Sequence, residues 1–353
     1  MKFDFGGLGT DVADSTTLPA QLYTDPAVYA LERERLFAHA WQAVARSADL
    51  APGGYVACDL AGDPIVVTRD GTGALHALSN VCLHRACPIA SGRGSAGHGV
   101  LTCPYHRWTY ALDGRLRAAP LMEQARDFDK SEVRLPRLRV EEWQGWVFVN
   151  PDPDAPGLAG QLHALAECLD PFGVAEMVVC RTLTFESPWN WKIMVENFME
   201  SYHHLGAHPE TLNAAYPAAG THVVDLPGAF ALLENPARDR ANSPFWVMCV
   251  YPTMLFALTR GEHPTGFWYQ MHLHGHDRFT LDVHLMAHRP LAADDAFVER
   301  YAQIVTAIHM EDIPMCEGVW KGVNSRYAVE GRLSHLEAAN WRFYKYLEER
   351  LGG

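Results

Sequence analysis

The hydrophobic and polar positions of this chain follow two different periods. Between Gly54 and Asn150 the apolar residues come in short β-rich runs, and turn sequences such as DGTG and DGR separate these runs. This spacing predicts a small antiparallel β-domain. Its clearest predicted strands are PIVVTRD (64–70), ALHALSNV (74–81) and GWVFVN (145–150).

The rest of the chain combines helical spacing with further strands. Thr24 or Asp25 before Pro26 is a favourable N-cap followed by proline at the first helical position. Ser334 and Glu337 form a capping box at the start of the last helix, which a pair of glycines follows. The predicted helices are 24–47, 190–208, 293–310 and 334–349. The predicted strands between them are 245–251, 254–260, 266–275 and 279–289.

A breaker-rich stretch, PDPDAPG at 151–157, is the best linker candidate because it is almost free of apolar residues. We therefore expect an N-terminal segment with a helix that packs on the larger domain (1–40), a β-domain (41–150) and a mixed domain (151–353). Strands flanked by helices at both ends predict an α+β fold, in which a long helix covers a curved antiparallel sheet.

Composition and charge exclude several classes of protein. The chain has 353 residues, of which 48% are hydrophobic and 20% charged, as in ordinary globular proteins. Its formal net charge of −13 argues against nucleic acid, because phosphate binding needs clustered Lys and Arg. No window approaches the roughly 20 apolar residues of a membrane span, and the first residues lack a signal-peptide core. We expect a cytoplasmic protein that binds neither nucleic acid nor membranes.

Close-set cysteines and histidines are the first chemical signal. Eight cysteines are thinly spread, which argues against a disulfide scaffold and favours metal ligands. One arm is Cys82-Leu-His84 and the other is Cys103-Pro-Tyr-His106, with eighteen residues between His84 and Cys103. Two unrelated Cys/His pairs and a structural zinc site are the alternatives. Zinc fingers usually place both cysteines before both histidines, whereas here each arm has one of each.

This arrangement resembles the Rieske [2Fe–2S] motif, in which two loops each supply one Cys and one His. The resemblance implies that Cys82 and Cys103 hold one iron while His84 and His106 hold the other. The similarity extends to further positions in and after the two arms. These are Arg85, Trp108, Tyr110 and the stretch EWQGWVFVN at 142–150.

Two positions inform the subtype of the cluster. Arg107 stands where the motif often has Gly, and Tyr105 stands where high-potential Rieske proteins have a cysteine that closes a disulfide. The resemblance therefore implies the lower-potential oxygenase or ferredoxin kind, with Cys87 as a buried free thiol. The stretch GRGSAG at 92–97 fits a nucleotide-binding pattern but lacks its βαβ context, so we expect a loop near the cluster.

A second concentration of ligands lies in ENFMESYHHLGAH, residues 196–208. It holds three histidines and two glutamates in an otherwise amphipathic helical pattern. Spacing alone favours His204 with His208, which are four residues apart and share one helical face.

The longer stretch NWKIMVENFMESYHHLGAH, residues 190–208, resembles the catalytic helix of Rieske-type non-haem iron oxygenases. The pattern in that family begins with an acidic residue, followed after two intervening residues by a His. A second His follows after four more intervening residues. The resemblance implies that His203 and His208 are iron ligands, that Glu200 is the catalytic acid, and that Asn197 lies nearby.

Ligands five residues apart require a helix that loosens or ends between them. Gly206 and Pro209 are the candidates for this break. His204 then takes a structural or supporting role. Two His also need a carboxylate to complete the facial triad of a non-haem Fe(II) site. The resemblance places it on a downstream helix, where Asp312 is our choice and Glu311 and Glu317 are its competitors.

Glu200 stands where the family more usually has Asp. In the family this acid joins the catalytic site to a Rieske His of a neighbouring subunit, which implies a link from His203 to His106 across an interface. A cyclic homotrimer is therefore expected. Glu at this position is also a feature of the branch that acts on quaternary ammonium compounds such as carnitine and glycine betaine.

The resemblance covers residues 35–350 and identifies the chain as the terminal oxygenase component (α-subunit) of a Rieske non-haem iron system. It implies a Rieske domain and a helix-grip (START-like) catalytic domain. A [2Fe–2S] cluster and a mononuclear Fe(II) would use O₂ to hydroxylate or oxidatively demethylate a small organic substrate. Electrons from NAD(P)H need a separate reductase, with or without a ferredoxin, because the chain has no flavin or nicotinamide fingerprint.

Pocket residues and substrate are less constrained by the sequence. An aromatic compound, as in aromatic hydrocarbon catabolism, is the expected substrate, and a quaternary ammonium compound is the alternative. Two other classes of protein also fit part of the pattern: a Rieske electron carrier with a non-catalytic ligand-binding domain, and a zinc-stabilised binding module. Several aromatic residues are candidates for the pocket wall, although most should lie in the core. They are Phe245, Trp246, Phe267, Trp268 and Tyr269.

Overall fold

The computed structural model describes residues 3–239 and 241–352. Contacts divide the chain into two compact units. We call them the small unit, Ala38–Leu158, and the large unit, which comprises the chain up to Phe37 and from Ala159 onward. Within the described part of the chain, no helix is both long and apolar enough to cross a membrane.

The described chain contains nine α-helices and seventeen strands. The α-helices are α1 (Gln21–Thr24), α2 (Pro26–Arg35), α3 (Leu158–Gln161), α4 (His163–Leu169), α5 (Trp191–Phe198), α6 (Leu212–Ala215), α7 (Arg289–Ala292), α8 (Asp295–Val323) and α9 (Ala338–Leu351). The strands are β1 (Gln42–Arg46), β2 (Gly54–Leu60), β3 (Asp63–Arg69), β4 (Leu75–Ser79), β5 (Arg93–Ser95), β6 (Val100–Thr102), β7 (Thr109–Ala111), β8 (Leu116–Ala118), β9 (Arg137–Trp143), β10 (Trp146–Asn150), β11 (Val178–Ser187), β12 (His222–Val223), β13 (Phe230–Asn235), β14 (Phe245–Val250), β15 (Met254–Thr259), β16 (Thr265–Leu273) and β17 (Phe279–Ala287).

The small unit is built from antiparallel strands. Seven of them form a sheet in the order β1-β10-β9-β4-β3-β2-β5, and β6, β7 and β8 form a second sheet. Side chains such as Val66, Leu78 and Tyr110 form an apolar core that also contains Cys82 and Cys103. Packing therefore fixes the backbone of both cysteines.

The predicted helix over 24–47 is right at its start and wrong at its end. Asp25 caps α2 as expected, accepting a hydrogen bond from the backbone of the first turn. The helix ends at Arg35, and the later part of the range is strand β1, which pairs antiparallel with β10. Pairing with a fully buried strand outweighs the weak helical preference of these few residues.

The large unit confirms the α+β fold with a curved antiparallel sheet. Its strands follow the order β11-β17-β16-β15-β14-β13-β12, and α8 contacts both β11 and α5. The predicted helix near 293–310 is too short, because α8 continues to Val323 with Pro314 inside it. Buried side chains continue on one face beyond the predicted end, as far as Cys316, and this packing outweighs the missing proline N–H.

Two further expectations need correction. The helix predicted over 190–208 stops at Phe198, and Tyr202–Leu205 forms a separate 3-10 helix. The break therefore precedes Gly206. The glycine-rich stretch expected to be a loop contains strand β5, which pairs with β2 at the sheet edge.

The capping box of the last helix is confirmed. Ser334 Oγ accepts a hydrogen bond from Leu336 N at 3.3 Å, and Glu337 Oε2 accepts one from Ser334 N at 2.6 Å. Of the glycine pair, Gly352 caps α9 and Gly353 lies outside the described residues.

A buried ion pair joins α2 to α5. Lys192 Nζ lies 2.5 Å from Glu32 Oε1, and both side chains are buried completely or almost so. Trp191 Nε1 donates to the other carboxylate oxygen at 2.9 Å. Because α5 leads directly into the histidine cluster, this pair fixes the element from which the cluster is built.

We expect Lys192→Met to destabilise the large unit by about 3–5 kcal/mol, because it leaves the Glu32 carboxylate buried without its cation. The double variant Lys192→Met/Glu32→Gln removes both charges and keeps an oxygen for Trp191, so most of the stability should return. Urea unfolding followed by tryptophan fluorescence measures both changes. Equal losses in the single and double variants would show that the pair contributes only packing.

Candidate metal centres

The two Cys/His arms of the small unit form a pair of equivalent loops. Ala86 N donates to Cys82 O at 2.9 Å, and Arg107 N donates to Cys103 O at 3.1 Å. Both turning residues have a left-handed backbone, with φ of 55° at Ala86 and 62° at Arg107. This conformation explains why glycine is often found at the Arg107 position of the motif.

These loops bring the four expected cluster ligands together. Cys82 and Cys103 are both 2% exposed, and the rings of His84 and His106 lie 4.5 Å apart between centroids. His84 Nδ1 is buried and has no hydrogen-bond partner among the described residues. Loss of solvation lowers the pKa of His106, and the nearby His84 and Arg85 lower it further. Two buried thiols and two adjacent imidazoles, one with an unpaired nitrogen, fit a group that takes two S and two N ligands.

The four residues are less suited to a single ion. Among the described residues, one group of three or more side chains could hold a metal ion. It consists of His203, His208 and Asp312. The Cys82 and Cys103 arms are not such a set, as expected where two irons separate the thiolates from the imidazoles. This geometry disfavours the structural zinc alternative.

Tyr110 and Trp108 support the first centre. The Tyr110 hydroxyl lies 3.4 Å from Cys82 Sγ and accepts a hydrogen bond from Leu83 N at 3.1 Å. Burial raises the pKa of Tyr110, and its contact with Cys82 raises it further, so the phenol keeps its proton and is able to donate it to the sulfur. The Trp108 ring stacks on His84, with centroids 5.1 Å apart.

Two expectations about the cluster surroundings can be compared with the structure. Cys87 is a free thiol, as expected, but it is half-buried rather than buried, because its loop lies at the surface. Tyr105 is exposed, and its ring lies 3.8 Å from that of His106.

The second centre lies in the large unit, where α5 ends. Because the helix stops at Phe198, the following residues can turn both His203 and His208 towards α8. The ligand atoms of His203, His208 and Asp312 all lie within 4.8 Å of one another. His208 Nε2 lies 2.8 Å from Asp312 Oδ1, and His203 Nε2 lies 3.5 Å from the same oxygen. Asn197, at the end of α5, donates to this oxygen at 3.1 Å.

Each of these two imidazoles is held on its other side by a glutamate. His203 Nδ1 lies 2.6 Å from Glu200 Oε1, and His208 Nδ1 lies 2.6 Å from Glu311 Oε2. Thr211 Oγ1 also donates to Glu311, at 2.7 Å. A carboxylate on Nδ1 fixes the ring and directs the Nε2 lone pair at a metal. Two imidazoles and one carboxylate therefore have the donor set of a facial triad.

The electrostatics of the triad favour metal binding. Burial opposes the charged forms of both His208 and Asp312. Hydrogen bonds to Asp312 and Glu311 nevertheless raise the pKa of His208. The bond to His208 and the nearby His203 lower the pKa of Asp312 despite its burial. The site thus places a carboxylate beside the His208 imidazole, whose proton a divalent cation would displace.

The other candidate ligands take different places. His204 is buried with its Nδ1 unpaired among the described residues, and burial together with His203 and His208 lowers its pKa to about 3. It is not part of the set that meets Asp312, so the pairing suggested by spacing alone is disfavoured. Glu317 is exposed.

A cavity of about 460 Å³ adjoins the triad. Phe245, Phe267 and Tyr269 line it, together with Phe198 and Tyr216. The other two aromatic candidates belong to the opposite face of the sheet, because side chains alternate along a strand. Trp246 packs on Phe172 and Arg260, and Trp268 packs on His284.

Sequence reasoning missed some residues that the structure brings to these centres. Glu311 appeared only as a rival ligand, and Thr211 did not appear at all. Tyr216, Tyr301 and Ile304 line the cavity but carry no local signal, since an aromatic or aliphatic residue at helical spacing reads equally well as core.

Comparison with known proteins identifies the family. The model for the Rieske [2Fe-2S] domain matches residues 40–136, and the model for the ring hydroxylating alpha subunit (catalytic domain) matches residues 174–353. The chain is 30% identical to the carnitine monooxygenase oxygenase subunit of Escherichia coli (strain K12), over 91% of this chain and 88% of that protein. It is 28% identical to the chloroplastic choline monooxygenase of Beta vulgaris, over 96% of this chain and 78% of that protein.

A solved structure agrees with these matches. The quaternary ammonium Rieske monooxygenase in complex with L-carnitine superimposes with a TM-score of 0.84 at 27% identity, over 99% of each chain. The chain belongs to the Rieske-type ring-hydroxylating oxygenases, as an alpha subunit.

This membership confirms the class inferred from the sequence and sets aside the electron-carrier and zinc-module alternatives. The protein is the terminal oxygenase component of a Rieske system and an oxidoreductase. Its cofactors are a Rieske [2Fe–2S] cluster and a mononuclear iron, and it uses O₂ and a small organic substrate. Electrons reach it from NAD(P)H through a reductase.

We expect Tyr110→Phe to lower the reduction potential of the cluster, because the variant loses a hydrogen bond to the Cys82 sulfur. A redox titration followed by EPR measures the shift. Tyr105→Phe is the matched control, since it makes the same change on an exposed ring beside His106. A potential that is unchanged in Tyr110→Phe would mean that the hydroxyl does not donate to Cys82.

We expect Glu311→Gln to weaken iron binding by about 10–100-fold, because the amide holds the His208 ring less firmly and no longer adds to its basicity. Iron affinity is measured by competition with a chelator. Glu317→Gln removes the same charge from an exposed position of α8 and should leave the affinity within about twofold. Equal effects of the two variants would indicate a general charge effect.

Proposed function

We propose that this chain is the oxygenase subunit of a monooxygenase that oxidises a carbon next to the nitrogen of a small quaternary ammonium compound. The observation that carries the proposal is the cavity beside the triad, where aromatic rings and acidic groups adjoin one another. Ring faces attract quaternary cations, and the carboxylates add a complementary charge. The similarity to carnitine and choline monooxygenases supports the same class of substrate.

For the metals, we propose the ligands that the sequence indicates. Cys82 and Cys103 would hold one iron of the cluster, and His84 and His106 the other. Their burial and the unpaired His84 Nδ1 support this set. The mononuclear iron would be held by His203, His208 and Asp312, which is supported by their convergence within 4.8 Å. We keep the proposed division into 1–40, 41–150 and 151–353, and a cytoplasmic location stays a prediction.

The reaction that follows is a hydroxylation. One C–H bond of the substrate becomes C–OH, and the second oxygen atom of O₂ leaves as water with two protons and two electrons. When bound, the mononuclear iron supplies O₂ activation. A hydroxyl group on a carbon attached to nitrogen is unstable, so the C–N bond then breaks to release an amine and a carbonyl compound.

The chain's own residues prepare the site for this reaction. Asn197 fixes the orientation of the Asp312 carboxylate through its 3.1 Å hydrogen bond. Glu200 accepts from the backbone and the ring of His203, which holds the imidazole in one tautomer. The largely apolar wall of the cavity limits the number of polar groups that contact the substrate.

We also propose that Glu200 connects neighbouring subunits in a cyclic homotrimer. In the family an acid at this position joins the catalytic site of one subunit to a Rieske His of another, here His106. The 2.6 Å contact from Glu200 to His203 supports the catalytic half of this link. Sedimentation of the iron-loaded protein tests the trimer, and a monomer at micromolar concentration would contradict it.

An uncharged aromatic substrate is a second candidate. It is favoured by the six Phe and Tyr rings that line the cavity, since such a wall also accepts a planar hydrocarbon. The two candidates differ in whether a positive charge on the substrate improves binding.

The iron content tests the proposed ligands. Anaerobically purified protein should contain three irons and two acid-labile sulfides per chain, with a Rieske EPR spectrum after reduction by dithionite. Asp312→Ala should lower the content to two irons and leave the Rieske signal unchanged, whereas Glu317→Ala on the same helix should retain three. Two irons in the wild type, even after Fe(II) is added back, would contradict the mononuclear site.

Substrate-dependent O₂ uptake tests the proposed activity. With a reductase and NADH, we expect quaternary ammonium compounds to stimulate O₂ uptake with matching release of amine and aldehyde. Indole and naphthalene serve as the aromatic comparison. Turnover of the aromatic compounds alone would favour the second candidate.

A further inference from the structure

We propose that the substrate carries no carboxylate, so that the enzyme takes choline-like cations and rejects betaine-like zwitterions. This inference rests on the proposed function and narrows it. Carnitine has both a quaternary ammonium group and a carboxylate, whereas choline has a hydroxyl group in place of the carboxylate. The relatives therefore leave both kinds of substrate open, and the charges around the cavity decide between them.

The charged residues that line the cavity are acidic. Glu200 and Asp312 contribute carboxylates, and neither Lys nor Arg is among the described residues of the wall. The remaining polar groups include the hydroxyls of Thr211, Thr259 and Tyr301. A hydroxyl can donate one hydrogen bond to a carboxylate but brings no compensating charge.

Two arginines near the cavity wall, Arg238 and Arg260, are engaged elsewhere. Arg238 lies against α6, where its guanidinium donates to the backbone carbonyls of Asn213 and Ala214. Arg260 follows strand β15 but pairs with Glu234 at 2.9 Å, and it stacks on Trp246 at 4.0 Å, on the face of the sheet opposite the cavity. Neither guanidinium is part of the cavity wall.

Bound iron would not make the charge around the cavity positive. A mononuclear Fe(II) adds two positive charges, while Asp312, Glu200 and Glu311 around its histidines supply three negative charges. With all three carboxylates ionised, the metal and these groups would have a net charge of −1. A substrate carboxylate would meet this charge in a cavity with an apolar wall.

These observations determine the outcome for the two kinds of substrate. A carboxylate that leaves water for an apolar cavity loses its hydration and gains no cation in return. A trimethylammonium group is more weakly hydrated, and the ring faces and carboxylates attract it. The cavity therefore selects by the charge of the group at the other end of the substrate from the trimethylammonium group. Shape selects little, because choline and glycine betaine are nearly the same size.

The first experiment compares ligands that differ in one group. Binding to the iron-loaded, reduced protein is measured by calorimetry without O₂, so that it does not depend on turnover. We expect choline to bind at least about 100-fold more tightly than glycine betaine. The neutral analogue of choline, in which a tert-butyl group replaces the trimethylammonium group, should bind more weakly than choline because it lacks the positive charge.

A charge placed on the wall should reverse part of this preference. Ile304 lines the cavity from α8 and is 58% exposed, so a longer polar side chain fits there without entering the core. Ile304→Lys should raise the affinity for glycine betaine relative to choline about fivefold. Ile304→Gln is the matched variant, which adds polarity and similar length without charge, and it should leave the ratio of the two affinities unchanged.

The outcomes separate this inference from the proposed function. If choline and glycine betaine bind within about threefold of each other, the quaternary ammonium activity stands and the exclusion of carboxylates is wrong. If neither compound binds and the neutral analogue binds instead, the proposed substrate class itself is wrong. If Ile304→Gln changes the ratio as much as Ile304→Lys does, charge at the wall is not the cause.

Discussion

A single carboxylate oxygen, Oδ1 of Asp312, is the point on which the geometry of the second centre depends. Asn197, His203 and His208 all approach this atom, from α5 and from the segment that follows it. A buried carboxylate is costly unless it is paired; the Asn197 amide donates a hydrogen bond to it, and the two imidazoles would share a divalent cation with it. The arrangement requires α8 and the end of α5 to pack in one register. It also explains why α5 must end at Phe198, since a continuous helix would turn the two histidines to different faces.

Local sequence patterns were sufficient for most of the fold. Strands with clear β-rich runs were predicted near their true bounds. The helix caps at Asp25 and Ser334 were also predicted correctly, because a capping side chain bonds to the backbone within one turn. Strand β1 could not be predicted, because its conformation comes from pairing with β10, about a hundred residues away. The length of α8 was underestimated, since a proline usually ends a helix and only tertiary packing keeps this one continuous.

The site was partly predictable for a similar reason. The resemblance to the family's motif indicated which histidines approach Asp312, whereas helical spacing alone favoured His204, and the structure brings His203, His208 and Asp312 together. Spacing could not show that Glu311 holds His208 rather than competing with Asp312, because two adjacent residues on a helix differ by a rotation of about 100° that only packing against a neighbour fixes. Nor could it show which face of β14 and β16 borders the cavity. Alternation separates Phe245 from Trp246, but the curvature of the sheet decides which of them faces inward.

Helix α8 carries both the third carboxylate and part of the cavity wall. Asp312 and Ile304 lie eight residues apart on this helix, about 12 Å along its axis. A ligand that presses on the wall therefore acts on the same rigid element that positions the carboxylate. Thermodynamic reciprocity follows: a substrate that changes the affinity of the site for iron must have its own affinity changed by iron to the same degree. The loaded and empty forms of this oxygenase should thus differ in how well they retain substrate, even where metal and substrate never touch.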